Sequence, residues 1–239
     1  SRASLVLRES NNWTARGVSP RGVGQRVVGL AYRNADRVVC LSDGVNVDTR
    51  RRYGELRTQT IYNPVDVAGI QAGAADRSGA APDWAPKGER AEVQLLAVGR
   101  LTRQKGFDLR IDAVAQIQEL PWKLTILGEG PDLAALLNQV HDLGLEGRVS
   151  FPGFVPNPYP WFAEADAFVL SSRWEGFGHV IVEAMATGTA VLSTRCPSGP
   201  DEIITDDKDG MLCAPDSVSA LAEGLSALVS EPALRERLA

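Results

Sequence analysis

The sequence predicts an α/β fold: a parallel sheet with helices on both faces, preceded by a smaller αβ unit of the same kind. Three observations carry this. From Glu92 onward, short apolar strands alternate with helices of ten or so residues, the pattern of a covered parallel sheet. The first 67 residues also read as αβ units. Between the two lies a stretch, 68–91, rich in Ala, Gly and Pro and without periodicity, which reads as a linker or long surface loop. The expected organisation is therefore 1–67, linker 68–91, and 92–239.

In the first unit, Ser4–Leu7 is a short apolar run that reads as a strand. Arg16–Tyr32 carries Val23, Val27, Leu30 and Ala31 at helical spacing. Ala35–Ser42 reads as a strand around β-branched Val38 and Val39. Asp43–Tyr53 follows as a helix with Ser42 as N-cap. Thr60–Tyr62 is a last strand, stopped by Asn63-Pro64. In the second unit, strands are expected at Val93–Val98, Trp122–Leu127, Val149–Phe151, Ala167–Leu170 and Ala190–Thr194. Helices are expected at Asp108–Gln118, Asp132–Leu143, Trp161–Ala165, His179–Ala186 and Val218–Val229.

Composition narrows the class. Of 239 residues, 44% are hydrophobic and 23% charged, as in a globular protein, and no run approaches the ~18–20 apolar residues of a membrane span. The start, Ser1-Arg2-Ala3-Ser4, has neither Met nor an apolar signal core and reads as an excised or incomplete chain. Cys40, Cys196 and Cys213 are too far apart for a disulfide framework or a zinc site, so a reducing cytoplasm is the expected location. The net charge of −5 is uneven: residues 1–60 carry +6 and residues 61–239 carry −11. The basic part is expected to meet an anionic surface, such as the inner face of a membrane carrying a lipid-linked acceptor. The other reading is a solvated Arg-rich face. No nucleic-acid partner is expected.

A parallel sheet binds ligands at the carboxyl ends of its strands, so chemistry is sought in four loops. Gly99–Gly106 (GRLTRQKG) offers phosphate-binding cations. Gly128-Glu129-Gly130 allows close backbone approach but lacks the third glycine of a dinucleotide fingerprint. Phe151–Pro156 (FPGFVP) offers a flat aromatic face and fixed backbone groups to a nucleobase. Most specific is Ser171–Ala186 (SSRWEGFGHVIVEAMA). Gly176 and Gly178 free the backbone where a helix begins, and free N–H groups there with the helix dipole make an anion site. Glu175 and Glu183 flank that helix start, and a carboxylate can accept hydrogen bonds from sugar or ribose hydroxyls.

Glu175 and Glu183, with seven residues between them, resemble the E-x7-E motif of retaining glycosyltransferases of the GT-B fold, family four. VGRLTRQKGFD, LGEGP, VSFPGFV and SSRWEGFGHVIVEAMATGTAVLST stand in that family's order, and the resemblance covers about residues 60–230. It implies a Rossmann-like donor domain preceded by the tail of a second Rossmann-like, acceptor-binding domain. It further implies that Arg100 and Lys105 bind the donor diphosphate, Glu175 the sugar and Glu183 the ribose. Gly178, His179 and Val180 would face the phosphates with their backbone, Phe154 would lie in the base-binding segment, and Gly99, Gly176 and Phe177 would complete the donor loops. The loop Cys196–Glu202 (CPSGPDE) resembles a variant found in members that use UDP-hexosamines.

The implied reaction moves a sugar from a nucleoside diphosphate, with uridine the expected nucleoside, to an acceptor hydroxyl on a glycan or lipid with retained configuration. A diphosphate oxygen would take the acceptor's proton. No metal and no cofactor are expected: the sequence is read as carrying no Asp-x-Asp triplet, and cations in the loops would stabilise the leaving diphosphate. The family's N-terminal Gly-rich loop, its later N-domain histidine and its final crossing helix have no match here. Arg110 stands where an apolar residue is usual and is expected to snorkel to solvent. A hydrolase using the two glutamates is the rival enzyme reading, but it would not need the basic loop or the Gly-led helix. The alternative to a transferase is a sugar-nucleotide-binding fragment or inactive copy without turnover.

Overall fold

The computed structural model describes residues 4–239 except 20, 21, 77, 78, 80, 81, 85, 86 and 88. Ser1–Ala3 and part of the expected linker lie outside the described residues.

Two parallel sheets are formed among the described residues, one in each expected unit. The first has the order β1-β2-β3, from β1 (Val6–Glu9), β2 (Arg37–Cys40) and β3 (Thr58–Thr60). Helix α1 (Val23–Asn34) joins β1 to β2, and α2 (Asp43–Tyr53) joins β2 to β3. The Ser42 hydroxyl accepts from Val45 N at 3.1 Å, the N-cap that the sequence announces. Val38, Cys40, Val45, Tyr32 and Tyr53 form this unit's small core.

Helix α3 (Val67–Ala75) begins where a linker is expected. Asp66 caps it by accepting from Gly69 N at 2.9 Å, and it packs on two helices of the second unit, Tyr159–Glu164 and His179–Ala186. Its only buried large residue is Ile70, so its Ala- and Gly-rich sequence shows no apolar period. Small side chains bring its backbone close enough for Asn157 to donate to the Gly73 carbonyl at 2.9 Å. Residues 68–75 are thus helix.

The second sheet is built from β4 (Val93–Val98), β5 (Trp122–Leu127), β6 (Val149–Gly153), β7 (Ala167–Leu170), β8 (Ala190–Thr194) and β9 (Met211–Cys213). Its order is β6-β5-β4-β7-β8-β9 with every pairing parallel. The connections are α4 (Phe107–Ala115), α5 (Leu133–Asp142), α6 (Tyr159–Glu164), α7 (His179–Ala186) and α8 (Pro200–Ile203). Helices α9 (Val218–Ser230) and α10 (Pro232–Leu238) end the chain. A 3-10 turn, Arg103–Lys105, precedes α4.

Successive residues of β4 point to opposite faces. Leu95 joins Ile111, Leu136 and Leu225 beneath α4, α5 and α9. Leu96 joins Phe162, Phe168 and Ile181 beneath α6 and α7. Each such side chain contributes about 1.5–3 kcal/mol by leaving water. Both faces are covered, which explains the unbroken apolar strands. The chain leaves β4 toward one sheet edge and returns from β6 to pair β7 with β4 on the other side. That reversal opens a crevice beyond the carboxyl ends of β4 and β7.

Arg110 does not snorkel. It is 1% exposed, with Nε and Nη1 unbonded among the described residues. Its guanidinium lies 4.9 Å from the centre of the Phe107 ring, and burial pushes its pKa down to about 9. Arg110 lies on α4, which packs against α9 and α5. Three short elements, α8, β9 and α10, were not expected from periodicity, which three to seven residues cannot display.

Candidate functional site

The loops after β4, β5 and β6 meet α7 around a cavity of about 480 Å³. Gly99, Arg100, Glu129, Phe154, Tyr159 and Glu183 contribute to its lining. Phe154 is 67% exposed, an aromatic face turned outward instead of into the core. Glu183 sits one turn inside α7, half-buried and facing the cavity. Burial pushes its carboxyl up, and the charge of His179 partly offsets this.

Beyond Gly99, the stem of Lys105 lies alongside the glycine and its ammonium donates to Glu175 Oε1 at 2.6 Å. Ser172 donates to the same oxygen at 2.7 Å. Glu175 is 6% exposed, so this is a shielded ion pair with a second donor in place. Ser171 binds the two loops together by donating to the Gly106 carbonyl at 2.6 Å. Arg173 adds a fork: it donates to both carboxylate oxygens of Asp108 at 2.8 and 2.6 Å and lies 3.1 Å from Asp216. Burial alone would raise Asp108, but the hydrogen bonds and charge of Arg173 outweigh it and hold the carboxyl below its usual range.

Gly178 begins α7 in a left-handed conformation, φ 92°, with no side-chain cap. A residue with a Cβ is strained there, and the first amides of the helix are left uncapped by any side chain. His179 and Val180 supply the first of them. Phe177, in the loop before, places its ring 5.5 Å from Tyr62 and 6.3 Å from His179. His179 Nδ1 is buried without a partner among the described residues.

Gly176 has a reason that the sequence does not show. A Cβ there would collide with the carbonyl oxygen of Ser10, which follows β1. The first unit thus presses directly on the loop carrying Glu175. Glu9, buried, fixes that contact. It accepts from Ser10 N at 2.7 Å, Asn11 N at 2.9 Å, Tyr32 OH at 2.5 Å and the Trp13 indole. Asn12 donates to Ser198 Oγ at 2.8 Å. The Glu202 carboxylate accepts from Asp43 N at 2.6 Å, Gly44 N at 2.9 Å and Tyr62 OH at 3.1 Å. Ser10, Asn12 and Tyr62 were absent from the expected site, while Ser172, Arg173 and Glu202 stood in the expected loops with no role assigned. Except for Ser172, three residues from Glu175, their contacts depend on long-range packing, to which local spacing is blind.

Arg100, Gly99, Phe154 and Glu183 therefore share one cavity. Lys105 and Glu175 form a pair next to it, and Gly176–Val180 lead into α7. An Asp-x-Asp triplet does occur, Asp207-Lys208-Asp209, but in the turn before β9. There Asp209 accepts from Thr205 N at 2.7 Å and Asp207 lies 3.5 Å from Arg237. It is not among the cavity residues.

A cleft at the switch point of one parallel sheet, faced by a second parallel αβ unit, defines the GT-B class of α/β architecture. The chain belongs to the glycosyl transferases group 1 family, whose model matches residues 85–239. It is 32% identical over 216 residues to the N-acetylgalactosamine-N,N'-diacetylbacillosaminyl-diphospho-undecaprenol 4-alpha-N-acetylgalactosaminyltransferase of Campylobacter jejuni, covering 90% of this chain and 56% of that protein. It is 32% identical over 209 residues to the lipopolysaccharide core biosynthesis glycosyltransferase LpsE of Rhizobium meliloti, covering 87% and 58%. Among solved structures, Anabaena Alr3699/HepE in complex with UDP and glucose superposes with a TM-score of 0.82 at 25% identity, covering 99% of this chain and 65% of that one. The chain spans less than three fifths of the length of these two curated relatives.

Proposed function

We propose that this chain is the donor-binding part of a retaining glycosyltransferase of family four. It takes a hexose or N-acetylhexosamine from a uridine diphosphate sugar and transfers it to a hydroxyl of a glycan or lipid-linked acceptor. The observation that carries the reading is the cavity beyond β4, where Arg100, Phe154 and Glu183 converge from three separate segments. Its chemistry suits a nucleotide: an exposed ring for the base, a carboxylate for the ribose diol and a guanidinium for phosphate. The likeness to a protein crystallised with UDP supports uridine.

Charge accumulates on the diphosphate as the glycosidic bond breaks. Arg100, Lys105 and the uncapped start of α7 would stabilise it without a metal, a fixed electrostatic environment that needs no rearrangement at the moment of reaction. Glu175, held by Lys105 and Ser172, would accept from hydroxyls of the sugar. A diphosphate oxygen would take the acceptor's proton on the face the leaving group departs from, which retains configuration.

No helix among the described residues is long and apolar enough to cross a membrane. A cytoplasmic site of action, with the basic first 60 residues resting on an anionic inner membrane face, belongs to the same proposal. Salt-sensitive association with anionic vesicles is its expected signature.

The first test is thermal unfolding with UDP, GDP or ADP, in the wild type and Glu183→Ala. Ligand at about 100 times its Kd adds about 2.7 kcal/mol to stability. UDP is expected to raise the Tm and the variant to lose that rise. If no nucleotide stabilises the wild type, the donor-site reading falls.

A further inference from the structure

Along α2, on the side of the first unit, two adjoining cavities of about 250 and 420 Å³ share Thr14 and Arg51. Together they form a groove between α2 and the loop that follows β1. At its inner end lie Asn12, Gly44 and Pro197. The Pro197 carbonyl accepts from Glu175 N at 3.3 Å, so this end is one hydrogen bond from the donor loop. At its outer end lie Arg51, Arg52 and Ser19. Gly44, Val47 and Arg51 follow one another on one face of the helix, and seven residues span about 10 Å at 1.5 Å each.

The outer end is built for an anion. Neither Arg51 nor Arg52 has a carboxylate partner among the described residues. Arg52 is held in place by donating to the Val18 carbonyl at 2.6 Å, while its Nε is buried without a hydrogen-bond partner among the described residues. An unbonded buried donor is costly and is relieved by an acceptor that reaches it. The one acid in the groove, Asp48, uses Oδ2 to accept from Trp13 N at 2.9 Å and Thr14 N at 3.4 Å, and so shapes the groove wall. Val47, 67% exposed, gives the middle of the groove an apolar surface of the kind a pyranose ring covers.

We infer that this groove binds the acceptor as a phosphorylated saccharide. Its phosphoryl or diphosphoryl group lies on Arg51, Arg52, Thr14 and Ser19, and its sugar points toward Pro197 and the donor loop. The inference rests on the transferase reading for the acceptor's role, but the anion site stands on its own geometry. Two guanidiniums and two hydroxyls match a tetrahedral oxyanion. The span of about 10 Å leaves room for one or two sugar rings between the phosphate and the reacting hydroxyl.

The probe is inorganic pyrophosphate, titrated against thermal unfolding with UDP already saturating, so that the donor's own diphosphate site is filled. The wild type is expected to gain a further, saturable rise in Tm. Arg51→Gln/Arg52→Gln should weaken the apparent pyrophosphate affinity by about tenfold or more while leaving the UDP response intact. Arg51→Gln alone, at an exposed position, gives a partial loss and serves where the double variant does not fold. No further rise in the wild type, or a rise indifferent to Arg51 and Arg52, overturns the anion site while the UDP arm separately reports on the donor site. Vesicles of phosphatidylglycerol form the last arm. If they bind through Arg51 and Arg52 and pyrophosphate does not, the arginines serve a membrane surface and the acceptor site is rejected.

Discussion

The buried amide of Asn12 donates to the hydroxyl of Ser198 at 2.8 Å, joining the loop after β1 to the loop that enters α8. A few residues away, Glu202 binds the first amides of α2 and the hydroxyl of Tyr62. The negative charge sits at the start of a helix, where the dipole favours it. Burial first, and then Glu202, push the Tyr62 phenol up to about 12, so this hydroxyl stays a donor throughout the neutral range. The two units thus meet through polar contacts of defined geometry.

Glu202→Ala removes the acceptor of two amides and a phenol. It is expected to cost about 1–3 kcal/mol of stability and to weaken UDP stabilisation, because the loop that contacts Glu175 through Pro197 loses its anchor. Urea unfolding with and without UDP checks both parts. Unchanged midpoints in both would show that the contact holds nothing.

Lys105 and Glu175 form a pair shielded from solvent. Breaking it from one side leaves a charge without its partner. Glu175→Gln is expected to lower transfer by the full-length protein about 100-fold or more, as loss of a fixed electrostatic contact does. Circular dichroism and UDP binding should stay close to wild type. Transfer within threefold of wild type would remove Glu175 from the reaction.

Glu183 titrates above its ordinary 4.5 because it is buried. For an acid whose folded pKa is raised, the ionised form carries a cost to stability that is absent at low pH and appears as pH rises through the folded value. Glu183→Gln removes that cost, so its stability relative to wild type should improve from acid to neutral pH. UDP affinity should run the other way in the wild type, falling on acidification with a midpoint above 4.5, and the variant should show no such step. Isothermal titration at several pH values decides; a step that persists in Glu183→Gln belongs to another group.

Arg110 holds a charge in the core with two of its nitrogens unbonded among the described residues. The Phe107 ring offsets part of the cost. Arg110→Met keeps most of the volume and removes the charge, and is expected to stabilise the protein by about 1–3 kcal/mol. A lower urea midpoint for the variant would mean that the guanidinium is better satisfied than its bonding suggests.

The second unit was readable because its longer strands are apolar runs alternating with segments of helical spacing. Val93–Val98, Trp122–Leu127, Ala167–Leu170, His179–Ala186 and Ala190–Thr194 fall on the expected bounds. In the first unit, Asp43–Tyr53 does so because Ser42 marks its start. α3 was missed because Ala and Gly mask a helix that buries only Ile70, and Arg110 because a sequence does not say which helix will cover it. The expected residues around the cavity were legible wherever a loop follows an apolar strand. The layer supplied by the first unit was not, since nothing near Ser10 or Glu202 in the sequence names the other.

Glu9 gathers four donors on one carboxylate, and the peptide that it orders is the one whose carbonyl rests on Gly176. Information about the shape of the loop that carries Glu175 is therefore stored in a different sheet, by a residue that touches no part of the cavity. A lesion at Glu9 should present as a ligand-recognition defect in an otherwise folded protein. A search confined to cavity-lining positions would never trace it.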